Sequence, residues 1–238
     1  MKVLLVGAAG KVASIIRPAL EAQHTCYFFD RRPVQAPDGR CFVGDVSDEA
    51  LVNEAVQGMD SVIYLAMGVR EGTSNDVSAI APSFAVNTRG WYHFAWYGVR
   101  AGVRHFIYAS SMSVIRLPHA RPVTEQREPD DLFCYGMSKQ LGEVIGLTIA
   151  RYCPDATIVL PRMILPLTEQ EWQRRHERQE SLMSPYSSGP KDTTRFYLAA
   201  LAFDQPGAYI FNLSGDRDGA AYPNTRAEEL LGWSPRGE

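Results

Sequence analysis

The sequence predicts an α/β protein: a doubly wound parallel sheet with a small C-terminal lobe. Two observations predict it. Short, β-branched apolar runs alternate with longer amphipathic stretches through the first two thirds of the chain, and a glycine-bearing turn follows the first of those runs. Strand–helix alternation with short connections requires parallel strands, covered on both faces and joined by crossovers of one hand.

Runs at 2–6 (KVLLV), 26–29 (CYFF), 41–43 (CFV), 61–66 (SVIYLA), 105–109 (HFIYA) and 156–160 (ATIVL) read as buried strands. Stretches at about 12–22, 48–57, 83–101 and 135–152 read as helices. Ser47-Asp48 caps the second helix and Gly58 ends it, while Pro154 and Asp155 close the fourth. From about 164 the pattern changes. Glu169 to Glu180 is almost wholly polar and reads as an exposed helix or ordered lid, its charges a solvated face. Ser184 to Pro190 is turn-rich, and a helix near 192–203, a strand near 208–213 and a closing helix near 225–231 follow.

Composition narrows the function classes. Over 238 residues, 45% are hydrophobic and 21% charged, as in a globular domain, and the net charge of −3 gives no footprint for a nucleic-acid partner. Cys26, Cys41, Cys134 and Cys153 are scattered, without a C-x-x-C pair. That spacing argues against a metal site or disulfide scaffold and for reduced thiols. The apolar run at 3–6 is too short for a signal-peptide core or a membrane span, so a cytoplasmic protein with no membrane partner is expected.

Gly7-Ala8-Ala9-Gly10-Lys11-Val12-Ala13 joins the first strand to the first helix. Gly7 permits a tight turn, Gly10 lets backbone approach a pyrophosphate, and the helix start presents unpaired N–H groups to the anion. Ala13 is small enough for close helix–strand packing. Asp30 ends the second strand, 23 residues after Gly7, where a carboxylate accepts hydrogen bonds from an adenosine ribose. The same carboxylate repels a 2′-phosphate, which favours NAD over NADP, although Arg31 and Arg32 beside it work the other way.

Tyr135 and Lys139 stand four apart at a helix start and so share a face. A phenol titrates near 10, so acting as a base near neutrality requires lowering it by roughly three, on the order of 4 kcal/mol. A neighbouring ammonium and a cationic nicotinamide are adequate sources. Ala109-Ser110-Ser111 follows a strong strand at the carboxyl edge, where open α/β sheets bind ligands, so Ser111 is placed to hydrogen-bond the reacting oxygen.

Together these residues resemble the extended short-chain dehydrogenase/reductases, specifically the NAD-dependent epimerase/dehydratase branch with its Rossmann fold. Further segments carry the resemblance: Gly44-Asp45-Val46, Tyr64-Leu65-Ala66, Asn87-Thr88-Arg89-Gly90, Phe106 to Ser111, Phe211 to Gly215 and Leu230 to Pro235. The resemblance implies that Asp45 and Val46 hold the adenine, and that Leu65, Ala66 and Met67 line the cofactor cleft. It also puts Asn87 near the nicotinamide end and has Lys139 bind the nicotinamide ribose. With Gly7, Ala9, Gly10, Lys11, Val12, Asp30, Arg31, Ala109, Ser110 and Tyr135, these form the expected NAD site. Residues 1–162 then form the NAD-binding core, and 163–238 a small substrate-side lobe packed on the same domain.

Three activities of this branch can be weighed. Its dehydratases carry a Thr-Asp-Glu-type segment at the position of Ser111-Met112-Ser113, which has no carboxylate here. Its nucleotide-sugar epimerases devote a longer tail to substrate, although Arg174, Arg175 and Arg178 offer a basic handle. The short tail is similar to that of the compact uronate dehydrogenases, whose Ser-Asn-His segment is Ser-Met-Ser in this chain. The expected enzyme moves a hydride to or from a carbinol carbon of a sugar or sugar-acid-like substrate, using Ser111, Tyr135 and Lys139, with Ser111, Met112, Ser113 and Arg162 toward the substrate. A sugar epimerase is the first alternative. A non-catalytic dinucleotide sensor is the second; such proteins usually lack the tyrosine or the lysine, both present here. The helix at 83–101 is apolar or aromatic nearly all round, and with 135–152 it is expected to form a homodimer interface.

Overall fold

The computed structural model describes residues 1–68, 76–117, 121–178 and 186–237. Strands β1 (Lys2–Val6), β2 (Thr25–Asp30), β3 (Cys41–Val43), β4 (Ser61–Tyr64), β5 (His105–Tyr108), β6 (Ser110–Ser111), β7 (Thr157–Met163) and β8 (Gly207–Leu213) form one sheet. All of its pairings are parallel, in the spatial order β3-β2-β1-β4-β5-β7 with β8 on the far side of β7. β6 continues β5 after Ala109 and pairs with the same strand, Ser110 opposite Arg162. Sequence order reverses at β1/β4, which opens the crevice where such sheets take ligands.

Alternation along the strands explains the two helical layers. Val3, Leu5, Phe28, Ile63, Ile107 and Val159 point to one face, into a core with Ile16 and Leu20 of α1 (Lys11–Glu21), Phe196 and Tyr197 of α7 (Pro190–Ala202) and Trp233. Leu4, Val6, Phe29, Val62, Tyr64, Phe106 and Leu160 point to the other. They meet α2 (Glu49–Ala55), α4 (Trp91–Arg100) and α5 (Cys134–Tyr152) through Val52, Trp91 and Phe94, among others. Asp48 caps α2 by accepting from the Leu51 N–H at 3.1 Å. The closing helix α8 (Thr225–Leu231) ends at Gly232 in the left-handed conformation.

Residues 190–213 depart from the expected division. α7 packs on α1, and β8 pairs along the whole of β7, so both belong to the main sheet and its cover. What remains as a small lobe is a cluster of Met112, Val114, Ile115, Val123, Ile164, Ala221 and Tyr222 beyond the strand ends. The polar stretch forms α6 (Glu169–Glu177). Residues 179 and 180 of that stretch, and 184 and 185 of the turn-rich run, lie outside the described residues.

The expected helix at 83–101 is not one uniform helix. α3 (Ile80–Phe84) passes through a π-helical segment at Ala85–Gly90 into α4. Wider turns alter which carbonyls are bonded within the helix. Two buried tyrosines donate to carbonyls of this segment, Tyr64 to Val86 at 2.6 Å and Tyr108 to Asn87 at 2.9 Å. Burial holds both phenols well above their ordinary pKa, so they remain neutral donors. Tyr64→Phe should therefore leave the Val86 carbonyl without its donor and destabilise the protein by about 1–3 kcal/mol, read from urea unfolding.

Candidate active site

A cavity of about 760 Å³ runs along the carboxyl edge of the sheet, from Asp30, Arg31 and Arg32 past the first turn to Tyr135 and Lys139. Gly7 has φ +85°, and a Cβ there would lie 2.6 Å from the Ala66 nitrogen, so only glycine lets the turn seat against β4's exit. Gly10 begins α1 without a side-chain cap, leaving the first helical N–H groups for an anion. Asp30 organises the same turn. Its Oδ2 accepts from the Ala9 N–H and its Oδ1 from the Arg32 N–H, both at 2.9 Å, while Arg32 reaches back to the Ala9 carbonyl at 2.7 Å. An open helix start, a glycine where a Cβ cannot fit and an acceptor at the strand end fit a dinucleotide.

At the Asp30 end of the cavity, Ser47 donates to Asp45 Oδ1 from its hydroxyl at 2.7 Å and its N–H at 2.9 Å. Those bonds hold Asp45 below the ordinary carboxylate range. Val46, Leu65, Ala66 and Met67 line the wall beside it.

At the other end, the start of α5 presents Tyr135 and Lys139 to the end of β5 and to β6. Lys139 is 2% exposed, and its Nζ donates to the Ala109 carbonyl at 2.7 Å. Burial pushes its pKa down to about 7. Burial also raises the Tyr135 phenol, opposed in part by a hydrogen bond from Ser111. The expected acidification of this phenol draws on the lysine and a cationic nicotinamide together; in the protein alone desolvation is the larger effect. Ser111 Oγ accepts from the Ser113 N–H at 3.1 Å, which fixes its direction.

The structure brings most of the expected residues to this cavity: Gly7, Gly10, Lys11, Val12, Asp30, Arg31, Asp45, Val46, Leu65, Ala66, Met67, Ala109, Ser110, Ser111, Ser113, Tyr135 and Lys139 line it. Ala9 serves through its N–H to Asp30. Others lie elsewhere. Asn87 is fully buried behind the wall, where its Nδ2 donates to Ser138 at 2.9 Å and so steadies α5 beside Lys139. Met112 packs in the small lobe's cluster. Arg162, expected toward the substrate, is 1% exposed and bound bidentately to Glu143, Nε and Nη2 each at 2.8 Å from a carboxylate oxygen. A guanidinium committed in this way has no face left for substrate.

Glu143 itself is a residue that sequence reasoning missed. It stands one turn beyond Lys139 on α5, and its Oε1 also accepts from Ser110 Oγ at 2.6 Å. Met163, Leu165 and Pro166 complete the wall after β7, where the rule of carboxyl strand ends points. Leu165 has φ +26°, a left-handed conformation that costs a leucine on the order of 1–3 kcal/mol.

An open parallel sheet, an uncapped helix after a glycine turn, and a serine–tyrosine–lysine set on one cavity define a dinucleotide-dependent oxidoreductase of the short-chain class. A sequence model of the NAD dependent epimerase/dehydratase family matches residues 3–183. The chain belongs to that family, and its cofactor is NAD. The NAD-dependent glucose-6-phosphate dehydrogenase of Haloferax volcanii is 29% identical over 262 residues, covering 98% of this chain and 92% of the relative. The uncharacterized protein y4nG of Sinorhizobium fredii is 30% identical over 166 residues, which is 68% of this chain but only 41% of that longer protein. The crystal structure of uronate dehydrogenase from Agrobacterium tumefaciens superposes with a TM-score of 0.81 at 20% identity, covering 99% of this chain and 84% of that one, and shows the shared fold. Among the described residues, no helix is long and apolar enough to cross a membrane.

The buried lysine makes stability depend on pH. Its native pKa lies near 7 against 10.5 for a free lysine, so between those values the unfolded chain binds the extra proton. The stability of the wild type relative to Lys139→Met should rise as pH increases through that window. Urea unfolding at a series of pH values measures it, and a flat difference would contradict the burial described above.

Proposed function

We propose that this protein is an NAD-dependent dehydrogenase moving a hydride to or from a carbinol carbon of a sugar or sugar-acid-like substrate. The observation that carries the reading is one continuous cavity, with the uncapped helix start at one end and Ser111, Tyr135 and Lys139 at the other. NAD, held by Gly7 to Val12, Asp30 and the Asp45–Val46 corner, supplies the hydride acceptor or donor when bound.

The chain's own residues handle the oxygen and the proton. Ser111, directed by the Ser113 N–H, orients the substrate oxygen while Tyr135 exchanges the hydroxyl proton. Lys139, titrating near 7 because it is desolvated, is a ready proton donor to a phenolate formed beside it. Each group's charged form is costly alone, and a phenolate beside an ammonium is less so because the opposite charges offset each other's desolvation. Both the Haloferax and Agrobacterium proteins named above are dehydrogenases, which favours oxidation over epimerisation. A cytoplasmic location accords with this reading.

Incubation with NAD⁺ and a panel of sugars and sugar acids, followed by NADH absorbance and product analysis, tests it. Net NADH formation is expected. A sugar stereoisomer made without net NADH would establish an epimerase instead, and NADH binding without any turnover would establish a sensor. Tyr135→Phe should lower turnover by about 10²–10⁴ while leaving NADH affinity within a few-fold. Retained turnover would overturn the mechanism.

The same reading includes a homodimer through the helices at 83–101 and 135–152. Tyr92 stacks on Trp96 at 6.3 Å between centroids, and Trp96 meets Tyr152 of α5 at 6.2 Å. Together with exposed Val144 they make an apolar strip across both helices. Light scattering should give twice the 26.5 kDa of one chain; a monomer at micromolar concentration would exclude this interface.

A further inference from the structure

The wall formed by Asp45 and Val46 is held from behind by α4. His93 Nδ1 lies 3.2 Å from the Val46 carbonyl, and the His93 side chain is 12% exposed. A carbonyl only accepts, so Nδ1 carries the hydrogen of this bond. The opposite ring nitrogen, Nε2, lies 4.0 Å from Glu49 Oε1, and Glu49 Oε2 accepts from the Tyr97 hydroxyl at 2.6 Å. His93 and Tyr97 stand at i and i+4, so one face of α4 grips the start of α2 and the loop before it. The Val46 side chain is buried over Gly90, just before α4, where a Cβ would lie 2.5 Å from Val46 Cγ2.

The carbonyl that His93 binds belongs to the peptide whose N–H is that of Ser47. In a trans peptide these two groups point in opposite directions, so anchoring one aims the other. The Ser47 N–H is aimed at Asp45 Oδ1, at 2.9 Å, and the Ser47 hydroxyl reaches the same oxygen at 2.7 Å. With Oδ1 taken, Asp45 has Oδ2 to offer a ligand in the cavity, as an acceptor. A chain of contacts thus runs from α4 through one peptide to a carboxylate that lines the cavity.

We propose that His93 is a positioning residue for the cofactor: it fixes the Val46–Ser47 peptide so that Asp45 accepts from the exocyclic amine of adenine. Hypoxanthine carries a carbonyl oxygen in place of that amine and would set two acceptors against each other. The base is therefore discriminated by a contact that His93 keeps in register, although His93 itself does not line the cavity. The assignment rests on reading the cavity as the NAD site, with its Asp45–Val46 corner at the adenine.

The test titrates the full chain fluorimetrically with NADH and with its deaminated analogue, reduced nicotinamide hypoxanthine dinucleotide. His93→Asn places an amide nitrogen near the position of Nδ1 and can still donate, whereas His93→Leu has nearly the same shape as asparagine and cannot. Wild type should bind NADH about tenfold or more tightly than the analogue, since the hydrogen bond concerned is made to a charged group. His93→Leu should lose most of that preference and His93→Asn should keep it. His93→Phe, which keeps a ring without the donor, gives the same reading should the leucine variant not fold. A side chain that merely stabilised the fold would weaken both dinucleotides alike in His93→Leu, and that result overturns the assignment. An unchanged preference in His93→Leu, or an equal loss in His93→Asn, overturns it too. So does a wild type that binds both dinucleotides equally, which leaves the NAD site standing. Failure of the wild type to bind NADH would sink the cavity's reading, and this assignment with it.

Discussion

The Nζ of Lys139 lies out of water against the carbonyl of Ala109, and the surrounding structure is organised around keeping it there. Holding a lysine at that depth requires α5 to lie unusually close to the sheet. Glycines on its inner face allow this: a Cβ at Gly142 would come within 2.2 Å of the Tyr108 ring, and one at Gly146 within 2.8 Å of Leu160. One turn beyond the lysine, Glu143 binds Arg162 of β7 and Ser110 of β6, and Arg162 continues to the Arg127 carbonyl at 3.0 Å. Breaking a buried pair of this kind strands a charge at a cost of about 3–5 kcal/mol. The pair therefore binds α5, two strands and the 121–131 segment into one unit, and Ser111 and Tyr135 inherit their spacing from it.

The other end of the cavity is held by a lighter device. Asp30 uses both carboxylate oxygens on backbone N–H groups of the turn and of its own strand exit. The carboxylate's orientation is thereby pre-set, and the cost of ordering it is met during folding. The two ends differ in kind: backbone contacts shape the turn after β1, whereas buried side-chain charge shapes the end at Lys139.

That difference explains what the sequence discloses. Gly7, Gly10 and Asp30 are legible because turn geometry and strand length are local, and Tyr135 with Lys139 because i and i+4 share a face. Arg162 was misplaced because its partner lies 19 residues away on another element, and no local spacing marks a buried ion pair. The π-helical segment was illegible for a related reason: the hydroxyls that bond there come from Tyr64 and Tyr108 on two strands. The division at 163 followed a change in residue pattern. Pairing of β8 along β7 is decided by strand contacts that a change of composition does not report.

Lys11, at the start of α1, is tied to α6 by its ion pair with Glu171. The Lys11 and Glu171 side chains are 27% and 33% exposed, and a half-solvated pair of this kind contributes only about 0–1 kcal/mol. An anion entering at the start of α1 can therefore draw Lys11 away from Glu171 at small cost. The capping box of Thr168 and Glu171 and the buried Trp172 would still anchor α6, so the helix need not leave.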